Sequence, residues 1–291
     1  SCKLTAARPP EPESREARRE RERRPSPTRR AAPPPRWESP TQGPTGEGSP
    51  QPQMSTPSPP RIKFCSWNVQ GLRGKIKQRK VLSLLHREKV DVALLQETHL
   101  NDNEHLKLKH GWITQVYFSS FTTSSRGVVI LMNRSFPFQI ETCIKDTYGR
   151  YVFIKGVLQG EEITIMNLYC PPNYSPDFLT KTFSQFSELS STISLVGGDF
   201  NCLLNPLVDR YPSRSSPPTN QARALSAICD EICLADVWRT LHPTNKEFTF
   251  YSPPHQCHTR IDYFLFQKFR CNKSLLVKLE IFWLVIMQCC I

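Results

Sequence analysis

The chain has 291 residues and carries 38 Lys and Arg against 26 Asp and Glu, a net charge of +12, so it holds at most one large or two small domains and admits a polyanionic partner. Its 11 cysteines are odd in number and form no Cys-x-x-Cys pair, a pattern that suits reduced thiols in cytosol or nucleus. Cys257-His258 and the Cys229/Cys233 pair lack a second ligand pair at zinc spacing, so no structural zinc is expected.

The first 60 residues contain 15 of the 26 prolines, short arginine runs and almost no branched aliphatics. Such a segment has nothing to bury and reads as a disordered Pro/Arg-rich stretch. Two origins stay open for it. Met54 shortly precedes the first strand, which fits upstream read-through, whereas a basic arm touching nucleic acid fits the arginines. No apolar secretory core is present there, and the apolar run at 281–287 is far below the roughly 20 residues that span a bilayer, so neither a signal peptide nor a membrane partner is expected.

Residues 61–270 read as one globular domain. Strands are expected at 63–69, 90–96, 128–132, 151–158, 163–169, 194–196, 248–251 and 261–266, where β-branched and aromatic residues alternate or run continuously. A helix between the first two strands places Val81, Leu84 and Leu85 on one face and Lys77, Arg79, Lys80 and Arg87 around the other. A second, at 221–236, sets Leu225, Ile228, Cys229, Ile232 and Cys233 at helical spacing. Strands outnumber helices and no repeat is visible, which points to two sheets packed face to face with helices outside: an α/β fold in four layers, α/β/β/α.

Polar residues directly after apolar runs are the candidates for chemistry, since a buried strand carries a charge at high cost but its end can present one into a cleft. Asn68, Glu97, Asp199, Asn201 and Asp262 stand at such ends. Carboxylates with amide neighbours are oxygen ligands for a hard cation such as magnesium and can position or deprotonate water. His255 and His258 lie in the loop before the Asp262 strand and read as unrelated polar residues.

In order, Ser66-Trp-Asn-Val-Gln-Gly-Leu-Arg, Leu94-Leu-Gln-Glu-Thr-His, Arg126-Gly-Val-Val-Ile-Leu, Asn167-Leu-Tyr-Cys-Pro-Pro, Gly197-Gly-Asp-Phe-Asn and Arg260-Ile-Asp-Tyr resemble the endonuclease/exonuclease/phosphatase superfamily. Gln96-Glu-Thr-His-Leu, Tyr148-Gly-Arg-Tyr, Leu241-His-Pro-Thr and Phe248-Thr-Phe-Tyr-Ser resemble most its branch in LINE-type (non-LTR) retrotransposons. Gln70, where repair enzymes of the superfamily usually carry an acid, points to the same branch. The resemblance implies a deoxyribonuclease I-like fold with Mg2+ as cofactor, Glu97 as principal metal ligand and Asn68 beside it. It implies that Asp199 orients or deprotonates the attacking water, that Asn201 and Tyr169 contact phosphate oxygens, that Thr249 holds a neighbouring phosphate, and that Asp262 supports the site.

The same resemblance implies a Ser-Asp-His motif after Asp262. None occurs in this chain, which runs instead into a degenerate apolar tail at 271–291, so the last strand of the fold is expected to be incomplete and the expected histidine missing. Three functions follow as expectations: a DNA endonuclease that nicks duplex DNA in the nucleus for target-primed reverse transcription, beside a reverse transcriptase domain expected in a parent polyprotein; a relic that binds DNA without cutting it; and, least favoured, a phosphoinositide-type phosphatase.

Overall fold

The computed structural model describes residues 62–191, 193–267 and, as backbone, 279–281. The expected disordered segment at 1–60 and most of the tail lie outside the described residues. In chain order the elements are β1 (Ile62–Asn68), α1 (Lys75–Arg87), β2 (Val92–Gln96), α2 (Asp102–Leu106), β3 (Ile113–Ser119), β4 (Val128–Asn133), β5 (Phe138–Lys145), β6 (Tyr151–Leu158) and β7 (Glu161–Tyr169). There follow α3 (Pro176–Leu189), β8 (Ile193–Asp199), β9 (Arg210–Tyr211), α4 (Asn220–Glu231), β10 (Leu234–Asp236), α5 (Val237–Leu241), β11 (Phe250–Ser252), β12 (Cys257–Thr259), β13 (Asp262–Gln267) and β14 (Leu279–Ile281).

Period-two alternation sorts the apolar residues into three cores. Phe64, Val92, Leu94, Ile130 and Met132 of one sheet face Val152, Ile154, Ile165, Leu195, Phe264 and Phe266 of the other. The intervening residues Cys65, Ala93, Leu95, Val129 and Leu131 turn outward onto Val81, Leu82 and Leu85 of α1. On the far side, Phe153, Met166, Leu168, Val196 and Leu265 turn onto Leu179, Phe183 and Phe186 of α3 and Leu225 and Ile228 of α4. Strands covered on both faces must be apolar throughout, which is why these segments read as continuous runs. The result is the four-layer sandwich, with sheet orders β14-β1-β2-β4-β3 and β10-β13-β8-β7-β6-β5 and a small third sheet, β11-β12-β9.

Each large sheet contains one parallel pair joined through a helix: β1 and β2 across α1, β7 and β8 across α3. Ser175 starts α3 by accepting from the Asp177 amide, with Pro176 in the first turn, and Thr219 starts α4 through the Ala222 amide. The helix expected at 221–236 ends early. Cys233 takes φ +56°, and Leu234–Asp236 leaves as β10 to pair with β13, so edge pairing overrides the helical apolar period after Ile232. One edge of β1 is paired for three residues by β14, which runs parallel to it.

Gly197 and Gly198 at the end of β8 leave no room for a side chain. A Cβ at Gly197 would lie 2.5 Å from both Leu94 Cδ1 and Phe264 Cε1. At Gly198, with φ +151°, it would lie 1.8 Å from the Leu168 carbonyl oxygen of the neighbouring strand, a backbone atom that cannot rotate away. Gly198→Ala is therefore expected to lower stability by about 2 to 4 kcal/mol in urea unfolding. Gly74→Ala, where the new methyl meets nothing within 4 Å, is expected to cost less than about 1 kcal/mol.

Candidate active site

Asn68 ends β1 and Glu97 directly follows β2, while Tyr169 ends β7 and Asp199 ends β8, so both parallel pairs present their C-terminal ends to one rim. Crevices at that end of parallel strands are where α/β sheets bind ligands. Asn68 joins the two sheets there: its Nδ2 donates to Glu97 Oε1 at 2.9 Å and to Asp199 Oδ2 at 2.9 Å. Its Oδ1 accepts from the Gln70 amide at 3.1 Å. Tyr169 sits opposite Asp199 in register, with its hydroxyl within electrostatic reach of Glu97.

Glu97 takes φ +51°, a conformation that costs a non-glycine residue energy and persists only when neighbours enforce it. The enforcement is visible. The amides of Gly71 and Leu72 donate to the carbonyls of Glu97 and Thr98 at 2.6 and 2.8 Å, and the amides of Thr98 and His99 donate to Gly127 and Arg126 at 3.0 and 2.9 Å. Asn201, at φ +47°, donates its backbone amide to Asp199 Oδ1 at 2.9 Å and its Nδ2 to the Cys170 carbonyl at 2.7 Å.

Asp262 stands directly opposite Asp199 in the antiparallel β8–β13 pair. Burial pushes the Asp199 carboxyl well above the usual range and the facing Asp262 adds to it, against the hydrogen bonds from Asn68 and Asn201. Burial likewise pushes Asp262 up to about 7, against the Thr249 hydroxyl and the Arg260 charge, which pull it down. Facing like charges disfavour ionisation of both. Burial and then Glu97 keep the Tyr169 phenol protonated far above neutral pH, so it remains a donor. Thr249 Oγ1 also accepts from the amides of Ile261 and Asp262 at 3.1 and 3.3 Å, fixing the start of β13.

The motif at Arg260-Ile-Asp-Tyr divides between site and scaffold. Arg260, only 2% exposed, bonds Asp209 Oδ1 at 2.9 Å and Asp236 Oδ2 at 2.6 Å, and Arg239 joins the same Asp209 oxygen. Tyr263 donates to the Cys202 carbonyl at 3.0 Å and receives the Leu204 amide at 3.0 Å. His258 lies in the small sheet against Tyr251, with ring centroids 4.6 Å apart.

Two histidines near Glu97 were not singled out from sequence. His99 Nε2 lies 3.7 Å from Glu97 Oε2, and burial lowers its pKa although Glu97 opposes this. His105, fully enclosed, bridges Thr98 Oγ1 and Ser120 Oγ at 2.9 Å each and stacks on Phe118 at 4.6 Å. No spacing rule marks His105, because its partners come from two loops that only the fold brings together.

Among the described residues no cluster of three or more His, Cys, Asp or Glu side chains is arranged to cage a metal ion. Glu97 and Asp199, one on each side of the Asn68 amide, instead offer a sparse set of carboxylate oxygens that suits a hard divalent cation keeping most of its water.

A four-layer α/β/β/α sandwich that gathers acids and amides at the common rim of its two sheets defines the deoxyribonuclease I-like class of hydrolases. Within it, the chain belongs to the endonuclease/exonuclease/phosphatase family, whose model matches residues 65–274. It is similar to the transposon TX1 uncharacterized 149 kDa protein of Xenopus laevis, 29% identical over 208 residues, which cover 69% of this chain and 16% of that protein. An AP endonuclease from Archaeoglobus fulgidus shares its fold at a TM-score of 0.57 and 20% identity, over 69% of this chain and 85% of that one. The endonuclease domain of TRAS1, a telomere-specific non-LTR retrotransposon, does so at 0.50 and 14%, over 70% and 84%.

Burial is the main reason that the His105 pKa falls from 6.5 to about 4, with Asp102 and Glu104 opposing it. A depressed folded pKa means that stability is fully present above pH 6.5 and is lost as the pH falls through the folded value. Over that gap the loss reaches about 3 kcal/mol. Denaturant unfolding at pH 7 and pH 4 is expected to show wild type losing roughly this much more stability than His105→Gln.

Proposed function

We propose that this chain is a magnesium-dependent phosphodiesterase that nicks one strand of duplex DNA, the nuclease module of a non-LTR retrotransposon working in the nucleus beside a reverse transcriptase. The observation that carries the reading is the amide of Asn68 held between Glu97 and Asp199, one carboxylate from each sheet. Its DNA substrate is inferred from the likeness to the TRAS1 retrotransposon endonuclease domain and from the chain's net charge of +12.

Glu97 and Asn68 would hold the cation, which supplies charge neutralisation at the scissile phosphate. Asp199, one amide away from Glu97 across Asn68, would orient or deprotonate the attacking water. Tyr169 stays protonated and donates to a phosphate oxygen, with the Asn201 amide beside it. Thr249 orders the start of β13 and, at the same rim, offers its hydroxyl to a neighbouring phosphate.

A second reading, binding of DNA without cutting, is favoured by one observation: no Ser-Asp-His triplet follows Asp262 in these residues. Supercoiled plasmid distinguishes the two. Nicking that requires magnesium, stops with chelator and falls roughly 100-fold or more in Glu97→Gln and Asp199→Asn is the expected result. Folded protein that binds duplex with a steep salt dependence and never nicks it would overturn the catalytic reading in favour of the second.

A further inference from the structure

The chemistry above leaves unused a pair of rings at the edge of the cleft. Phe121 and Tyr148 are 43% and 52% exposed, with centroids 6.1 Å apart and planes at 51°. Phe121 belongs to the β3–β4 loop and Tyr148 to the β5–β6 turn, and the Tyr148-Gly-Arg-Tyr motif explains their meeting. A Cβ at Gly149 would lie 2.9 Å from both the Phe121 Cβ and the Gly127 nitrogen, so only glycine lets the turn close on the loop. The Gly127 amide then donates to the Gly149 carbonyl at 3.0 Å.

The pair is held in place rather than draped. Thr122 and Ser125 close their loop through a bridge and a 2.9 Å hydroxyl contact. Arg150 is fixed bidentately by Asp146 at 2.7 and 3.1 Å, with its guanidinium 4.9 Å from the Tyr148 ring and 4.3 Å from Phe178. Arg126 lies 4.8 Å over Phe121, and among the described residues no carboxylate forms an ion pair with it. This assembly is joined to the cleft by main-chain bonds: the Tyr169 amide donates to the Arg150 carbonyl at 2.7 Å, and the His99 amide to the Arg126 carbonyl at 2.9 Å.

Two exposed, preorganised rings, each attended by an arginine, match an unpaired base on a phosphate chain, since a base offers a π-face and its phosphate a charge. We propose that Phe121 and Tyr148 form a stacking platform for an unpaired nucleobase of the strand whose phosphate enters the carboxylate cleft, with Arg126 meeting an adjacent phosphate. The inference rests on the phosphodiesterase reading and adds a base-contacting surface to it.

Fluorescence anisotropy in chelator, at fixed salt, with a short single-stranded oligonucleotide and an abasic strand of the same length, tests it on the full chain. The Phe121→Ala/Tyr148→Ala double variant should bind the base-bearing strand roughly tenfold more weakly and the abasic strand almost unchanged. Phe121→Trp should keep base-bearing affinity, and Arg126→Gln should weaken both strands. Equal loss on both strands, no loss on either, or wild type that binds both strands alike would overturn the platform. Thermal melting confirms that the exposed substitutions leave the protein folded. Plasmid nicking by the same samples separates the failures: Glu97-dependent nicking without a base effect removes the platform alone, whereas a wild type that neither nicks nor binds DNA removes the phosphodiesterase reading as well.

Discussion

Everything at the rim depends on a polar bolt through the apolar core just beneath it. Gln96 of β2 donates its Nε2 to Asn167 Oδ1 of β7 at 2.7 Å, and Asn167 returns its Nδ2 to the carbonyls of Leu95 at 3.0 Å and Val129 at 2.8 Å. Both side chains are fully buried. Two apolar sheet faces can slide against each other at little cost, because burial is non-directional. Hydrogen bonds in a low-dielectric interior cannot slide, since an unpaired buried amide is expensive. The bolt sets the sheets in one register, and in that register Asn68 of the first sheet reaches Asp199 of the second.

Above the bolt, order passes from loop to loop through main-chain bonds. Gln96 leads into Glu97, whose strained backbone is clamped by the Gly71–Leu72 segment on one side and by Arg126–Gly127 on the other. Gly127 hands on to Gly149, and Arg150 to Tyr169. Residues of low intrinsic preference for their conformation are thus tolerated because several short bonds over-determine them. Such rigidity suits a site that must present charge to a phosphate without reorganising.

Much of this was legible in the chain itself, and the reasons differ by element. β1, β2, β4, β6, β7, β8 and β13 are buried on both faces for most of their length, so their apolar runs stand out. β3 and β5 were missed: Ile113–Ser119 interleaves half-exposed residues, and Phe138–Lys145 is an edge strand exposed along most of its length. α3 was missed despite its Ser175-Pro176 start, because Phe178, Leu179, Phe183 and Phe186 lie among polar residues that obscure their helical spacing. Asn68, Glu97, Asp199, Asn201 and Asp262 were legible since chain order alone puts each at a strand end, and Tyr169 and Thr249 entered with the motifs. His105 and the Gln96–Asn167 bolt were not, as their meaning lies in partners 7 to 71 residues away.

The charge of the chain shows the same division between what sequence counts and what structure assigns. Arg260, Arg239 and Arg150 are cations in the sum, yet each faces a carboxylate: Asp209 and Asp236 for the first, Asp209 for the second, Asp146 for the third. A buried pair of this kind contributes little net attraction but makes removal of either partner costly, so these arginines specify where β13 and the β5–β6 turn sit. They are scaffold. Arg126, which has no such partner among the described residues, is left to act outward from beside Tyr169. Each such pair is internally neutral and leaves the net charge of +12 unchanged, so the positive field that a phosphate backbone would meet at the rim is set by cations such as Arg126 that no buried carboxylate holds.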